Sequence, residues 1–325
     1  MNRQIHLVRY PDGVPSPEDF AEVEAPMPAP AAGEVLLETD FLGLDPFPRL
    51  RMRADSRVGK PLPLGQVVEG RGIATVVESR HPALFPGDVV HCDTGWQTHL
   101  ALPGEGLERL DLQLCGRAAH LSVLGPSGLT GWFTAQWAAR AGENLVIAPG
   151  AGSVGVVAAQ LARAAGAHVT GITASARQAA WLVEKLGIAA LCADDLEVRS
   201  LPDGVDAFID GVGGALHDSM VAAMRPGGRV LLLGFIAGYN DPGPPTYGAA
   251  APILFRRLTV QGFLLADHAT RFAEARAGLA TSLAAGTLRP FHPVHDGLAS
   301  TPAAFADLFA EPDPGKQIVR VSGRD

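Results

Sequence analysis

The chain has 325 residues, a formal net charge of −8, and 47% hydrophobic against 18% charged residues. This length and composition predict a globular protein of about two domains with a sizeable core. The negative charge argues against nucleic acid or an anionic membrane as the main partner, because both require a basic surface. No apolar run reaches about eighteen residues, so we expect no membrane span.

The three cysteines, Cys92, Cys115 and Cys192, lie far apart and form no CxxC pair. This usage suits a reducing cytoplasm and excludes a four-cysteine structural zinc site. The first apolar stretch is broken by Arg9 and Pro11, which is unlike a secretory signal. We therefore expect a cytoplasmic protein.

Residues 1–118 are predicted to be mostly β, with turn signals between the strands. The predicted strands are Glu34–Thr39, Val67–Ser79 and Asp88–His91. The glycines from Gly65 to Gly72 predict a strand bent as at a barrel corner.

From about residue 121, apolar β-type runs alternate with alanine-rich helical segments. The predicted strands are Asn144–Ala148, His168–Thr173, Asp206–Asp210 and Arg229–Gly234, and the first two predicted helices are Ser153–Ala165 and Ala176–Leu186. A further amphipathic helix is expected between the last two strands. This alternation predicts a parallel sheet covered on both faces.

The C-terminal stretch returns to β character at Leu288–His295, followed by a helix at Pro302–Phe309 and a strand at Gln317–Val321. The sequence therefore predicts an α/β class with two domains. A β-rich domain comprises residues 1–120 and 288–325, and a doubly wound Rossmann domain of residues 121–287 is inserted into it.

A full G-x-G-x-x-G pattern follows the strand Asn144–Ala148 and opens a helix. It comprises Gly150, Ala151, Gly152, Ser153, Val154 and Gly155. In this strand–turn–helix context the glycines allow a tight turn, close backbone approach to a pyrophosphate and close packing of helix and strand. The helix N-terminus favours the phosphate charge. We expect a bound dinucleotide.

An NAD-specific site would place Asp or Glu about twenty residues after the loop, on the ribose 2′-hydroxyl. This chain instead has Thr173, Ser175 and Arg177 there. Hydroxyl groups and a guanidinium suit a 2′-phosphate, which predicts NADPH rather than NADH. A solvated residue in the first turn of a helix is the alternative for Arg177.

Landmarks along nearly the whole chain resemble the zinc-independent medium-chain dehydrogenase/reductases, in the branch of prostaglandin and alkenal double-bond reductases. They include Leu44–Arg49, Gly65-Gln66, Gly95–His99, Gly128–Gly131, the glycine loop, Asp210–Gly214, Gly238–Asn240 and Gly315-Lys316. The resemblance implies a GroES-like β-rich catalytic domain, bound NADPH and a homodimer. Leu258–Leu264 is a β-prone run suited to an edge strand that a second copy would cover.

The zinc enzymes of this superfamily have Gly-His-Glu where this chain has Gly65-Gln66-Val67, and no three-ligand zinc set is evident. Without zinc, the electrophile implied by the resemblance is a conjugated carbon–carbon double bond. The expected substrates are small α,β-unsaturated ketones, aldehydes or acyl compounds, reduced by hydride transfer to the β-carbon.

The resemblance also assigns site residues. Tyr239 matches the active-site tyrosine, and the proton donor is Tyr239 or water. Cofactor contacts are expected from Tyr239, Asn240, Phe263, Leu264 and Lys316, although Phe263 also suits a core and Lys316 an ordinary surface position. The substrate pocket is expected to include Phe47, Gln66 and Trp96.

Three departures from the family pattern affect these assignments. Phe47 stands where a tyrosine is frequent, which makes the expected pocket more apolar. The basic residue after the second strand is shifted by about one position, so Arg177 or Gln178 faces the phosphate. An Asn-Tyr pair of the family is missing near Ala193-Asp194.

Three other functions fit the same pattern. A quinone reductase shares the fold and the cofactor. An enoyl reductase on carrier-bound thioesters would need a basic docking face, for which Arg49, Arg51, Arg53 and Arg57 are available, although a solvated loop is favoured. A non-catalytic NADPH-binding protein is the alternative from another class.

Overall fold

The computed structural model describes residues 1–56, 58–113, 115–193, 204–241, 243, 248 and 250–323. The chain folds into two compact units. The first comprises Met1–Leu121, His292–Pro312 and Gln317–Asp325, and the second comprises Ser122–Phe291 and Asp313–Lys316. Four residues of the C-terminal stretch therefore belong to the second unit.

The strands of the described residues are, in chain order, β1 (Asn2–Leu7), β2 (Phe20–Ala25), β3 (Glu34–Gly43), β4 (Gln66–Val67), β5 (Arg71–Ser79), β6 (Val89–Asp93), β7 (His99–Pro103), β8 (Asn144–Ala148), β9 (His168–Thr173), β10 (Ala189–Cys192), β11 (Val205–Asp210), β12 (Met224–Leu232), β13 (Thr259–Gly262), β14 (Val294–Asp296) and β15 (Ile318–Arg320).

The α-helices of the same residues are α1 (Arg117–Leu121), α2 (Pro126–Ala138), α3 (Gly155–Ala164), α4 (Ala176–Trp181), α5 (Gly214–Ala223), α6 (Ala250–Arg256), α7 (Phe272–Ala284) and α8 (Thr301–Asp307). A π-helical turn, Leu182–Leu186, continues α4. No helix in the described part of the chain is long and apolar enough to cross a membrane.

The first unit is built on two sheets. One has the order β2-β1-β4, and the other has the order β14-β15-β3-β5-β6 with β7 also paired to β3. The pairs are antiparallel except for β14 with β15. Trp96 lies in its core, where its ring is 5.4 Å from that of Phe20 and 5.3 Å from that of Phe305. The β-rich prediction is confirmed.

The second unit is an α/β unit whose strands, among the described residues, form one parallel sheet of order β10-β9-β8-β11-β12-β13. Its strands are apolar runs, and Val146, Ile172, Phe208 and Val230 are buried together in the core. Strands buried in a sheet with helical crossovers have this near-continuous apolar character. The predicted α/β class is confirmed.

Two element predictions are wrong. The predicted single strand at Val67–Ser79 is two strands, β4 and β5, in different sheets, because the residues up to Val68 bond to β1 whereas those from Arg71 onward pair with β3 and β6. The strand at Leu288–His295 is reduced to β14, because Pro290 and Pro293 have no N–H to donate to a ladder.

Candidate active site

The parallel sheet has a topological switch point between β8 and β11. Strand β8 pairs with β9 on one side and with β11 on the other. From β9 the sheet continues to β10 in one direction, and from β11 it continues to β12 and β13 in the other. In open α/β sheets the crevice at the carboxyl ends of such strands is the ligand site. The predicted glycine loop begins there, directly after Ala148.

The glycine loop is closely packed against its neighbours. Gly150 donates its N–H to the carbonyl of Ile172 over 2.7 Å. A Cβ on Gly155 would lie 2.2 Å from the carbonyl oxygen of Pro149, so only glycine fits there. Among the described residues, the N–H groups of Ser153, Val154 and Gly155 have no acceptor.

These free N–H groups lie at the start of α3, a ten-residue helix. The partial positive charge of a helix N-terminus adds to them, so the loop suits a pyrophosphate. The predicted phosphate-binding residues are thus together in one turn at the switch point.

The C-terminal segment Asp313–Lys316 is attached to this loop. Gly315 donates its N–H to the carbonyl of Ala151 over 2.9 Å. It also forms an isolated parallel β-bridge with Gly152. Lys316 follows it and is only 4% exposed. The predicted cofactor residue Lys316 is therefore a buried cation beside the glycine loop, unlike an ordinary surface lysine.

A second turn adjoins the loop at the end of β11. Gly211 donates its N–H to the carbonyl of Ala148 over 2.7 Å. The fully buried Asp210 accepts hydrogen bonds from Val212 and Gly213 at one carboxylate oxygen, each over 2.9 Å. Its other oxygen is 2.8 Å from Nδ1 of His217, which is also buried. This pair holds the turn in place.

The residues after β9 divide into structural and exposed groups. The Thr173 hydroxyl is buried and bonds to backbone carbonyls, and Ser175 caps α4 by accepting from the N–H of Gln178. Gln178 is buried, with its side-chain carbonyl accepting from Ala174. Arg177 is exposed, so it is the one of the two candidates whose charged group can meet a phosphate.

Arg177 has an acidic neighbour from a distant part of the sequence. Its Nη1 lies 2.6 Å from Oδ1 of Asp313. The sequence between Thr173 and Arg177 contains no carboxylate, but the fold supplies one from the segment that pairs with the glycine loop. No local pattern signals this contact, because 136 positions separate the two residues.

Tyr239 lies shortly after β12 and is 8% exposed. Its ring packs edge to face on Phe235, with centroids 5.0 Å apart. Its hydroxyl lies near Gly234 and has no hydrogen-bond partner among the described residues. Burial raises the pKa of this hydroxyl. Asn240, next in sequence, is half-buried.

Phe263 and Leu264 follow β13 at the sheet edge. The Phe263 N–H donates to the carbonyl of Leu232 over 2.9 Å, so it is not available to a ligand. The Phe263 ring stacks on His268, which also stacks on Phe133, with centroids 4.9 and 4.6 Å apart. The Leu264 side chain is 69% exposed.

The predicted substrate residues belong to the first unit. Phe47 is 50% exposed and Gln66 is exposed. Trp96 is buried in the core with Phe20 and Phe305. Its ring is part of that core, which leaves Phe47 and Gln66 as the exposed members of the set.

The basic positions proposed for carrier docking have partners of their own where they are described. Arg57 lies outside the described residues. Arg49 donates to the carbonyls of Pro11 and Gly13. Arg51 pairs with the carboxylate of Glu69, and Arg53 pairs with that of Asp55. Arg51 and Arg53 are thus in ion pairs, and Arg49 is buried with its guanidinium bonded to backbone carbonyls.

No cluster of three or more His, Cys, Asp or Glu side chains suited to a metal is present within the described ranges. His292 and His295 are therefore not part of such a group there. Burial lowers the pKa of His292.

The sheet order, the glycine loop and the switch-point turn define a dinucleotide-binding oxidoreductase fold. Residues 3–110 match the family described as the N-terminal domain of oxidoreductase, and residues 153–281 match the family described as zinc-binding dehydrogenase.

Similarity to individual proteins extends over the whole chain. NADPH-dependent curcumin reductase of Escherichia coli strain K12 is 30% identical, with 100% of this chain and 98% of the relative covered. Prostaglandin reductase 1 of Rattus norvegicus is 30% identical, with 97% of each covered. The solved structure of CurA in complex with NADPH from Vibrio vulnificus is 28% identical, with a TM-score of 0.92 and 99% and 100% coverage.

The chain belongs to the zinc-independent medium-chain dehydrogenase/reductase superfamily, in the branch that includes prostaglandin reductases. The family prediction from its sequence landmarks is confirmed.

Proposed function

We propose that the protein is an NADPH-dependent reductase of activated carbon–carbon double bonds. The observation that carries the proposal is the set of unpaired N–H groups of the glycine loop, at the switch point, with Arg177 exposed after the next strand. The names of the NADPH-dependent relatives support the cofactor and the reaction class.

The second unit binds the cofactor in this proposal. The N–H groups of Ser153, Val154 and Gly155 hold the pyrophosphate, and Arg177 holds the 2′-phosphate. The backbone after β13 offers the Phe263 carbonyl and the Leu264 N–H to the carboxamide, because the Phe263 N–H is already used. Asn240 and Lys316 complete the contacts.

When bound, NADPH would supply a hydride to the β-carbon of an enone, whose carbonyl oxygen would take the developing negative charge. The unpartnered Tyr239 hydroxyl donates a hydrogen bond to that oxygen or to the cofactor ribose, and the α-carbon takes its proton from Tyr239 or from water. Phe47 and Gln66, the exposed residues of the predicted set, stay predicted substrate contacts.

Quinones and enoyl thioesters are the competing substrates, and a non-catalytic NADPH-binding protein is the competing class. The burial of Arg49 and the ion pairs of Arg51 and Arg53 favour a small free substrate over one delivered by an acidic carrier. NADPH oxidation is measured with enones, quinones and enoyl thioesters as separate substrates. We expect turnover with enones, and a chelator should not change it. The proposal would be overturned if none of the three substrate classes led to oxidation of NADPH.

We also propose a cytoplasmic homodimer. Strand β13 is the last strand of the parallel sheet in the described residues, and all four of its residues are exposed. Exposed apolar side chains precede and follow it at Leu254, Phe255 and Leu264. A second copy paired along this edge would cover them. The unpaired cysteines suit a reducing compartment.

A further inference from the structure

Asp313 introduces a negative charge where the sequence predicts none. Its carboxylate lies 2.6 Å from the guanidinium of Arg177, and both side chains are more than half exposed. Gly315, two residues later, bonds to Ala151 of the glycine loop. This bond fixes the segment that carries Asp313 to the part of the fold that holds the cofactor phosphates.

The pair lies where the adenosine ribose of a dinucleotide is expected. In Rossmann units the pyrophosphate sits at the first strand–helix turn, and the ribose 2′-position lies at the end of the second strand. Here Arg177 lies in the first turn of α4, just after β9, and its ion pair with Asp313 comes from the segment that bonds to the glycine loop.

We propose that Asp313 is a specificity-determining residue that competes with the 2′-phosphate of NADPH for Arg177. This inference rests on the proposed function, in which Arg177 binds that phosphate. With NADH, which has no such phosphate, the Arg177–Asp313 pair remains intact. With NADPH, the guanidinium turns to the phosphate, and the nearby carboxylate opposes the phosphate charge.

The exposure of Arg177 and Asp313 limits the effect of Asp313 on NADPH binding. Water and salt screen both charges, so removal of the carboxylate changes the binding constant modestly, by about two- to fivefold at low ionic strength. The sign is definite, because two anions that share one cation weaken each other.

The test is the dissociation constant of each cofactor, from nucleotide fluorescence with the purified full chain at low salt. Asp313→Asn should tighten NADPH by about two- to fivefold and leave NADH within about twofold, and the gain should shrink at high salt. Glu184→Gln is the matched control, because it removes an exposed ion-paired acid from the same unit and should change neither constant.

Arg177→Ala separates the inference from the proposed function. It should weaken NADPH but not NADH, and Asp313→Asn in that background should give a smaller gain than in the wild-type protein, because the competition for the guanidinium is gone and only the direct repulsion of the phosphate remains. If Arg177→Ala leaves the ratio of the NADPH to the NADH dissociation constant unchanged, the phosphate role of Arg177 fails and the inference with it. If it raises that ratio while Asp313→Asn leaves NADPH binding unchanged, or weakens NADH, only the role of Asp313 is overturned. Asp313→Ser, with its melting temperature measured, repeats the test with a smaller side chain.

Discussion

The backbone N–H of Gly315 donates to the carbonyl of Ala151 over 2.9 Å, so a residue near the C-terminus stabilises the glycine loop. Gly315 has a φ of +105°, and a Cβ there would lie 2.2 Å from the carbonyl oxygen of Phe291. Backbone strain and a steric clash thus both require glycine at this position.

Gly315→Ala should destabilise the second unit and weaken NADPH binding. We expect a loss of about 2–5 kcal/mol in the free energy of unfolding, from the strained backbone together with overpacking. Urea unfolding measures it. Gly286→Ala is the control, because Gly286 also has a positive φ but no neighbour within 4 Å of a Cβ. It should cost only about 1 kcal/mol, and equal losses in the two variants would contradict the account.

His217→Leu should destabilise the protein, because it leaves the buried carboxylate of Asp210 without one of its partners. Loss of a hydrogen bond to a charged group costs about 1.5–3 kcal/mol, and Asp210 keeps its two N–H donors. Thermal unfolding measures the change. His168→Leu, at an exposed position of the same unit, should have little effect.

Tyr239→Phe should lower kcat by roughly 10²–10³ if the hydroxyl binds the developing oxyanion. A raised KM for NADPH with kcat retained would assign the hydroxyl to the cofactor instead. Near-wild-type constants would remove Tyr239 from the mechanism. Tyr10→Phe is the control, since the Tyr10 hydroxyl bonds to the Leu62 carbonyl within the first unit.

The pH profile offers a second test of Tyr239. Burial raises the pKa of its hydroxyl, so the neutral, donating form persists above the ordinary value of about 10. The kcat of the wild-type protein should therefore show no loss from this group below about pH 10. A decline well below that pH, absent in Tyr239→Phe, would contradict the role of the buried neutral hydroxyl.

Light scattering tests the proposed assembly through β13. The wild-type mass should be twice the 33.9 kDa of one chain. Val260→Glu adds a charge to the exposed edge strand and should shift the protein to monomers. Val183→Glu, on the exposed side of the π-helical turn, should remain dimeric. A monomeric wild-type protein would refute the dimer.

Local patterns predicted the elements around the cofactor well. Strands β8 and β9 have the predicted bounds. Each is a short apolar run flanked by glycine and polar residues, which is the pattern of a buried parallel strand. The edge strand at β13 was also predicted. The division of Val67–Ser79 into two strands was not predicted, because it depends on pairing with strands from distant parts of the chain.

The residues of the candidate site also divide into those that local spacing predicts and those that depend on the tertiary structure. The glycine loop and the exposed Arg177 follow from spacing along the chain. Asp313 and the His217–Asp210 pair were missed, because a carboxylate from the far end of the sequence has no local signature and Asp210 was noted only as part of a motif. Trp96, predicted to line the substrate pocket, is buried in a core with Phe20 and Phe305, a packing that its sequence neighbours do not indicate.

The most direct test of the proposed reaction follows the hydride. The protein is incubated with a simple enone and NADPH deuterated at both C4 positions of the nicotinamide, and the product is analysed by NMR and mass spectrometry. The account predicts the saturated ketone with deuterium on the β-carbon. An allylic alcohol with deuterium on the carbonyl carbon, or NADPH oxidised without deuterium in the product, would contradict it.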